Sequence, residues 1–424
     1  MGKEKSWRKI VSVNLMFLGV ILVFSLVGAE IYLRTGQVRC DRDDTTYGYC
    51  PEVNYIRDVT LEDIKYNEVK IFTDKYGGRI PNPGVKSEPQ NADVVLIGDA
   101  FIQAGAIPYE QTIYGLLSSQ TNVYALGYLS WNLIQFHRAA KLVNAKQATY
   151  LVFIGVNDFN PNDSRSVYGE LRANETALSL TKTIVKNSKT AVTIYGKMKK
   201  IYWRTSENSK METVALVASS HYEDCAALAT IPESYKKKFG YSFLMYTKHP
   251  NCWDAVHTKS MDLAIDRIRR IEKYVNEQLQ SSVTFFLVPG GWSFEREYTA
   301  GRQTKFYEFP SDIRISQRGI ADYINSKTDQ NVVDLEAVLG EGLERYRRNC
   351  PTCSDIFYLK HDGHWTANAH RYMAKWLVEW SCRQVTSEAP AVSSKPAAFC
   401  PLAKRKKISV KTGTKVGSPS QASN

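Results

Sequence analysis

Val94-Val95-Leu96-Ile97-Gly98-Asp99-Ala100-Phe101-Ile102-Gln103-Ala104-Gly105 is the stretch on which the fold turns. Four aliphatic residues in a row, three of them β-branched, suit a strand buried on both faces, and Gly-Asp then ends the run on a sharp turn. Similar apolar runs occur at 122–125, 149–154, 282–288 and 331–335. Helical patterns lie near 110–119, 131–143 and 313–327, with another at 367–379 after the last strand. Strands alternating with helices give an α/β domain built on a parallel sheet. In such a sheet, functional residues collect beyond the carboxyl ends of the strands. Ala100, Gly127 and Asn157 each come just after a predicted strand and are the first candidates.

Three further blocks accompany the first. Val123-Tyr124-Ala125-Leu126-Gly127 ends a strand in glycine, and Val152-Phe153-Ile154-Gly155-Val156-Asn157-Asp158 ends one in Gly-x-Asn-Asp. His361-Asp362-Gly363-His364-Trp365 precedes the final helical pattern. In this order the four blocks resemble those of the SGNH (GDSL-type) hydrolases, over roughly residues 68–380. Lys75-Tyr76-Gly77-Gly78-Arg79 is similar to a Gly-x-Arg element in membrane-associated members of that superfamily that act on polysaccharides. The resemblance implies a three-layer α/β/α, flavodoxin-like parallel sheet.

It also implies roles. His364 is the general base, Asp362 holds its ring, and the oxyanion hole is formed by Gly127 N–H, the Asn157 side-chain amide and the backbone N–H of residue 100. Asp99 and Asp158 are implied to fix their loops, and His361 to be a bystander. The family's serine nucleophile, however, is Ala100 here. A methyl group can neither attack a carbonyl nor give up a proton, and loss of such a nucleophile costs roughly six orders of magnitude in turnover. Three explanations stand: a pseudoenzyme that binds the ancestral substrate or a partner, an engineered trap, or residual chemistry in which His364 activates water. Ser130 comes shortly after Gly127 but belongs to the wrong strand end to replace the missing hydroxyl. Members with this layout act on ester, often O-acetyl, groups of envelope polysaccharides, as esterases or O-acyltransferases. The expected ligand is therefore an acylated polysaccharide, met either by an enzyme or by a non-catalytic glycan-binding or assembly subunit.

Charge narrows the partners. The net charge is +12, but residues 1–9 carry +3 of it and residues 401–424 carry +6. The body of the chain is close to balanced, without the dense basic helix that tracks phosphates, so no nucleic acid is expected. No Gly-x-Gly-x-x-Gly turn succeeds the first strand, so no nucleotide cofactor is expected, and no other cofactor is implied. Ile10 to Ala29 is a run of twenty uncharged residues behind Lys3, Lys5, Arg8 and Lys9. It is long enough to span a ~30 Å hydrocarbon layer, with the basic flank inside. The expectation is a transmembrane anchor over 10–32 after a cytoplasmic stub, 1–9. A cleaved signal peptide ending at Val27-Gly28-Ala29 is the alternative, and either one exports the rest of the chain.

All eight cysteines lie beyond that span, as disulfides in an oxidising compartment would require. Pairing of neighbours (Cys40–Cys50, Cys225–Cys252, Cys350–Cys353, Cys382–Cys400) is one of 105 arrangements. Cys350-Pro-Thr-Cys353 lacks the strand-to-helix setting of a redox pair, and no second ligand pair is spaced for zinc, so no metal is expected. The remaining divisions are an irregular exported lead-in over 33–90, the hydrolase-like domain over 91–382, and a disordered basic tail over 383–424. Within the domain, 160–281 reads as a long helical insertion. It is either a layer packed on the domain or a cap over the site.

Overall fold

A computed structural model describes residues 24–25, 39–41, 47–61, 64–160, 250–294, 317–328, 332–350, 357–359 and 364–387. The chain divides into two compact units. One comprises Met1–Arg39 and Arg172–Val217, of which Phe24, Ser25 and Arg39 are described. The other, Cys40–Leu171 with Ala218–Asn424, holds all the other described residues.

Three sheets are present among the described residues. Strands β1 (Arg39–Asp41) and β2 (Tyr47–Tyr49) pair with each other, and β3 (Asn54–Leu61), β4 (Ile64–Thr73) and β5 (Arg79–Ile80) form an antiparallel sheet. The third sheet is parallel, with β6 (Val94–Gly98), β7 (Val123–Gly127), β8 (Thr149–Gly155), β9 (Ser282–Val288) and β10 (Val333–Asp334) in the order β10-β9-β8-β6-β7. The chain enters the sheet at β6, next to one edge, steps outward to β7, and then crosses back to build β8, β9 and β10 on the other side. The order reverses between β6 and β8, and a crevice opens at the carboxyl ends of strands at such a point.

Alternate residues of each strand enter different cores because successive side chains point to opposite faces. Val94, Leu96, Leu151, Phe153, Phe286 and Val288 share one core with helices α1 (Ala100–Gln103), α2 (Ile113–Leu117), α6 (Glu336–Asn349) and α7 (Ala367–Ser387). Val95, Ile97, Tyr150, Val152, Phe285 and Leu287 share another with α3 (Leu133–Val143), α4 (Ala255–Lys273) and α5 (Arg318–Lys327). Helix starts obey local chemistry. Asn132 and Gln135 form a capping box at α3, Thr112 Oγ1 accepts from Gly115 N–H at α2, and Asp254 accepts from His257 N–H at α4.

Four differences from the sequence reading have physical causes. The lead-in over 33–90 is not irregular throughout, because Asn54–Leu61 and Ile64–Thr73 are long strands. Charged residues interleaved with Ile56, Val59, Tyr66 and Val69 mask their β-pattern, and a register shift between Arg57 and Val59 breaks it further. The segment 160–281 is not wholly an insertion. Met261, Ile265, Ile268 and Ile271 of α4 are buried in the core, so α4 is the crossover helix from β8 to β9. The last strand is cut to Val333–Asp334 because Leu335 caps α6, a helix the pattern did not suggest. Finally, α7 continues eight residues past 379, to Ser387, so the domain runs into the segment read as tail.

Other expectations fall outside the described residues: the anchor apart from Phe24 and Ser25, residues 161–249 with any cap, and the tail beyond 387. No described helix is long and apolar enough to cross a membrane. Cys50, Cys252, Cys350 and Cys382 are disulfide-bonded.

Candidate functional site

Strand β6 delivers the chain to Gly98, and Asp99 then caps the single helical turn of α1 by accepting from Phe101 N–H at 3.0 Å. The turn closes with Ala104 in the left-handed region at φ 47°. Ala100 therefore sits on a tight strand-to-helix elbow at the reversal of strand order.

The neighbouring strand ends converge on this elbow. Gly127, closing β7, lies so near that a Cβ there would come within 2.9 Å of the Gly98 carbonyl oxygen and 3.0 Å of that of Asp99. Gly155, closing β8, is equally constrained: a Cβ would stand 2.6 Å from Asn157 Oδ1 and 3.3 Å from Asp99 Oδ2. The absence of a side chain at 155 thus lets the Asn157 amide and the Asp99 carboxyl approach the same point. Asp158 secures that loop, its Oδ2 accepting from Gly155 N–H at 2.8 Å.

A cavity of about 100 Å³ opens beside the elbow. Ala100 and Phe101 line it on one side, His364, Trp365 and His370 on another, and the Gln103–Ile107 loop on a third, with the half-exposed Leu129 at its edge. The His364 ring meets Phe101 edge-on at 5.5 Å between centroids. A bridge between Tyr358 and Trp365, with Leu359 N–H donating to the His364 carbonyl oxygen at 2.8 Å, fixes the segment that carries the imidazole. Of the residues singled out in the sequence, Ala100 and His364 share this cavity. Gly127, against the Asp99 backbone, and Asn157, beside Gly155, do not line it. Asp362 and His361 lie outside the described residues.

Burial governs the electrostatics. Desolvation raises the Asp99 pKa to about 6, against the lowering effects of the Phe101 hydrogen bond and the nearby His364. Among the described residues, no group of three His, Cys, Asp or Glu side chains could hold a metal ion.

Three residues of the site have no role in the sequence reading. His370 lines the cavity from α7; its signal was a polar residue among Ala369, Met373 and Leu377 on the buried face of a helix. Trp365 is marked in the sequence only as the neighbour of His364. Arg79, noted in its Gly-x-Arg element, holds the cavity's loop: its guanidinium donates to the carbonyl oxygens of Ala104 at 2.7 Å, Ile107 at 3.1 Å and Gln103 at 3.3 Å. The Ala104 carbonyl also accepts from Ile107 N–H at 3.3 Å and that of Gln103 from the Tyr114 hydroxyl at 3.5 Å, which leaves the buried Ile107 carbonyl most dependent on the cation. Arg79→Met is expected to cost about 2 kcal/mol of stability, within the range for stranding a buried acceptor. Faster amide hydrogen exchange at Ile107, read by mass spectrometry, would report the loosened wall; unchanged exchange would refute the clamp.

No protein-family model matches this chain, and no curated protein matches it. Two solved structures are similar to it. One, a crystal structure, is 12% identical over 68% of this chain and 95% of its own, with a TM-score of 0.32. The other, BT4096, described as a gut microbial diltiazem-metabolizing enzyme, is 10% identical over 70% of this chain and 48% of its own, with a TM-score of 0.33. Neither likeness carries an assignment.

Proposed function

We propose that this chain is an SGNH-hydrolase-like protein, three-layer α/β/α and flavodoxin-like in strand order, whose site binds a short acyl group without forming a covalent intermediate. One observation carries the reading: the methyl of the elbow residue Ala100 and the imidazole of His364 line one cavity of about 100 Å³. Nucleophile and base occupy such positions in an acyl-transfer site, where a hydroxyl on the elbow is activated by the histidine. With a methyl on the elbow the pocket and base remain, and the attacking atom is gone.

The wider setting belongs to the same proposal. The apolar run 10–32 anchors the chain in a membrane with its N-terminus in the cytoplasm and the domain exported. The disulfide-bonded cysteines support an oxidising compartment. The ligand class, an acylated envelope polysaccharide, comes from the resemblance of the four blocks. Ala100→Ser tests the reading. Hydrolysis of p-nitrophenyl acetate gained by this substitution supports a hydrolase-type pocket, and a folded variant with no gain refutes it.

A further inference from the structure

His370 is 1% exposed, yet it lines the cavity. Its Nδ1 accepts a hydrogen bond from the Ile113 backbone N–H at 3.2 Å, which ties α7 to the start of α2. An imidazole that accepts at Nδ1 carries its proton on Nε2. The tautomer is therefore set by the fold, and the ring has one N–H left to give. No described residue accepts it. Burial, with the Arg79 guanidinium as the second cause, lowers the His370 pKa to about 3, so the ring is a neutral donor under ordinary conditions.

The rest of the wall has matching chemistry. Trp365 meets His370 edge-on at 5.5 Å, and its buried indole N–H has no acceptor among the described residues. No carboxylate lines the described wall, so nothing there suits an ammonium or a metal cation. The surroundings favour a ligand that offers an oxygen acceptor. Size limits the rest of that ligand. A cavity of about 150 Å³ admits benzene, so about 100 Å³ holds roughly four heavy atoms, the size of an acetyl group with its oxygens.

We propose that His370 determines the specificity of this pocket, its Nε2–H hydrogen-bonding the oxygen of an acetyl-sized acyl group that longer chains cannot replace. The inference rests on reading the cavity as an acyl site. A bland role is also available to His370, as the acceptor for Ile113 N–H alone. His370→Asn separates the two, because an asparagine Oδ1 can stand in for Nδ1 toward Ile113 while the Nε2 donor is lost.

The full chain is titrated with acetate and with butyrate by saturation-transfer NMR. The unsubstituted protein is expected to favour acetate at least tenfold, and His370→Asn to lose about tenfold in acetate affinity with little change in melting temperature. Equal acetate affinity in both proteins, or no acetate binding to the unsubstituted one, overturns the proposal. Should His370→Asn not fold, histidine-selective ¹⁵N spectra of the unsubstituted protein decide. The His370 Nε2 signal must shift as acetate is added, and an unmoved signal is disproof. Failure here combined with ester hydrolysis by Ala100→Ser would leave the acyl-site reading standing. Failure of both would remove it.

Discussion

Ala100→Ser is expected to hydrolyse p-nitrophenyl acetate at least ~10³-fold faster than the unsubstituted chain. A full serine triad contributes about 10⁶ in turnover, and a restored hydroxyl in a pocket not tuned for it should recover a part of that. The physical case is local. The substitution adds one oxygen to a residue that already faces a cavity, so it need not displace core side chains. The elbow is held from both ends, by the Asp99 cap and by the Arg79 clamp, so the hydroxyl would start from a fixed backbone. His364 lines the same cavity and is the only base the reading admits. Adding His364→Ala to Ala100→Ser should therefore return the rate to its starting level. Adding Asn157→Ala tests a weaker link, since Asn157 does not line the cavity. A loss of roughly 10²–10³ would mean that it turns toward the oxyanion during reaction. A rate that survives loss of His364 would mean hydrolysis elsewhere on the surface.

The parallel sheet was readable because its strands are nearly pure β-branched and aliphatic runs. The boundaries of β9 come directly from Ser282–Val288, and the elbow from the break at Gly98-Asp99. The antiparallel sheet was not readable, since its alternation is diluted by Arg57, Asp58, Lys65, Glu68 and Lys70 and interrupted by a register shift. Helix α4 was recognised as a helix from its Ile265, Ile268 and Ile271 spacing. That it belongs to the core depends on which face of the sheet it meets, and periodicity carries no such information. Within the site, Ala100 and His364 were legible because each sits in a short motif. His370 and Arg79 were not, because their roles arise between elements distant in sequence. His370 reaches Ile113 across 257 positions, and Arg79 reaches the Gln103–Ile107 loop from another sheet. A lone histidine on a helix face or a lone arginine after a turn announces neither.

Asp99→Asn is expected to stabilise the protein at pH 7 by up to about 3 kcal/mol and to leave it unchanged near pH 4. The Asp99 pKa is raised from 3.8 to about 6 in the folded chain. Between those values the folded state binds more protons than the unfolded one, so stability falls as pH rises through the window. His370 has the opposite slope. Its pKa is lowered from 6.5 to about 3, so between those values the unfolded state binds more protons and stability rises with pH. From about pH 4 to pH 6 the two contributions oppose each other at about 1.4 kcal/mol per pH unit each, and the net profile from this pair is flat. Replacing Asp99 with asparagine keeps an oxygen to accept from Phe101 N–H and removes the charge that burial penalises. The rising slopes of His370 and His137 then stand unopposed by Asp99. Urea unfolding at about pH 4, 5, 6 and 7 should give a series that rises more steeply for Asp99→Asn than for the unsubstituted chain, because the half-buried His137, its pKa lowered to about 4, adds a rising slope to both. A uniform displacement of all four values would mean that the substitution acts through packing at Gly155 and Asn157. In that case Asp99 would not be the buried, proton-linked group that opposes His370 beneath the cavity.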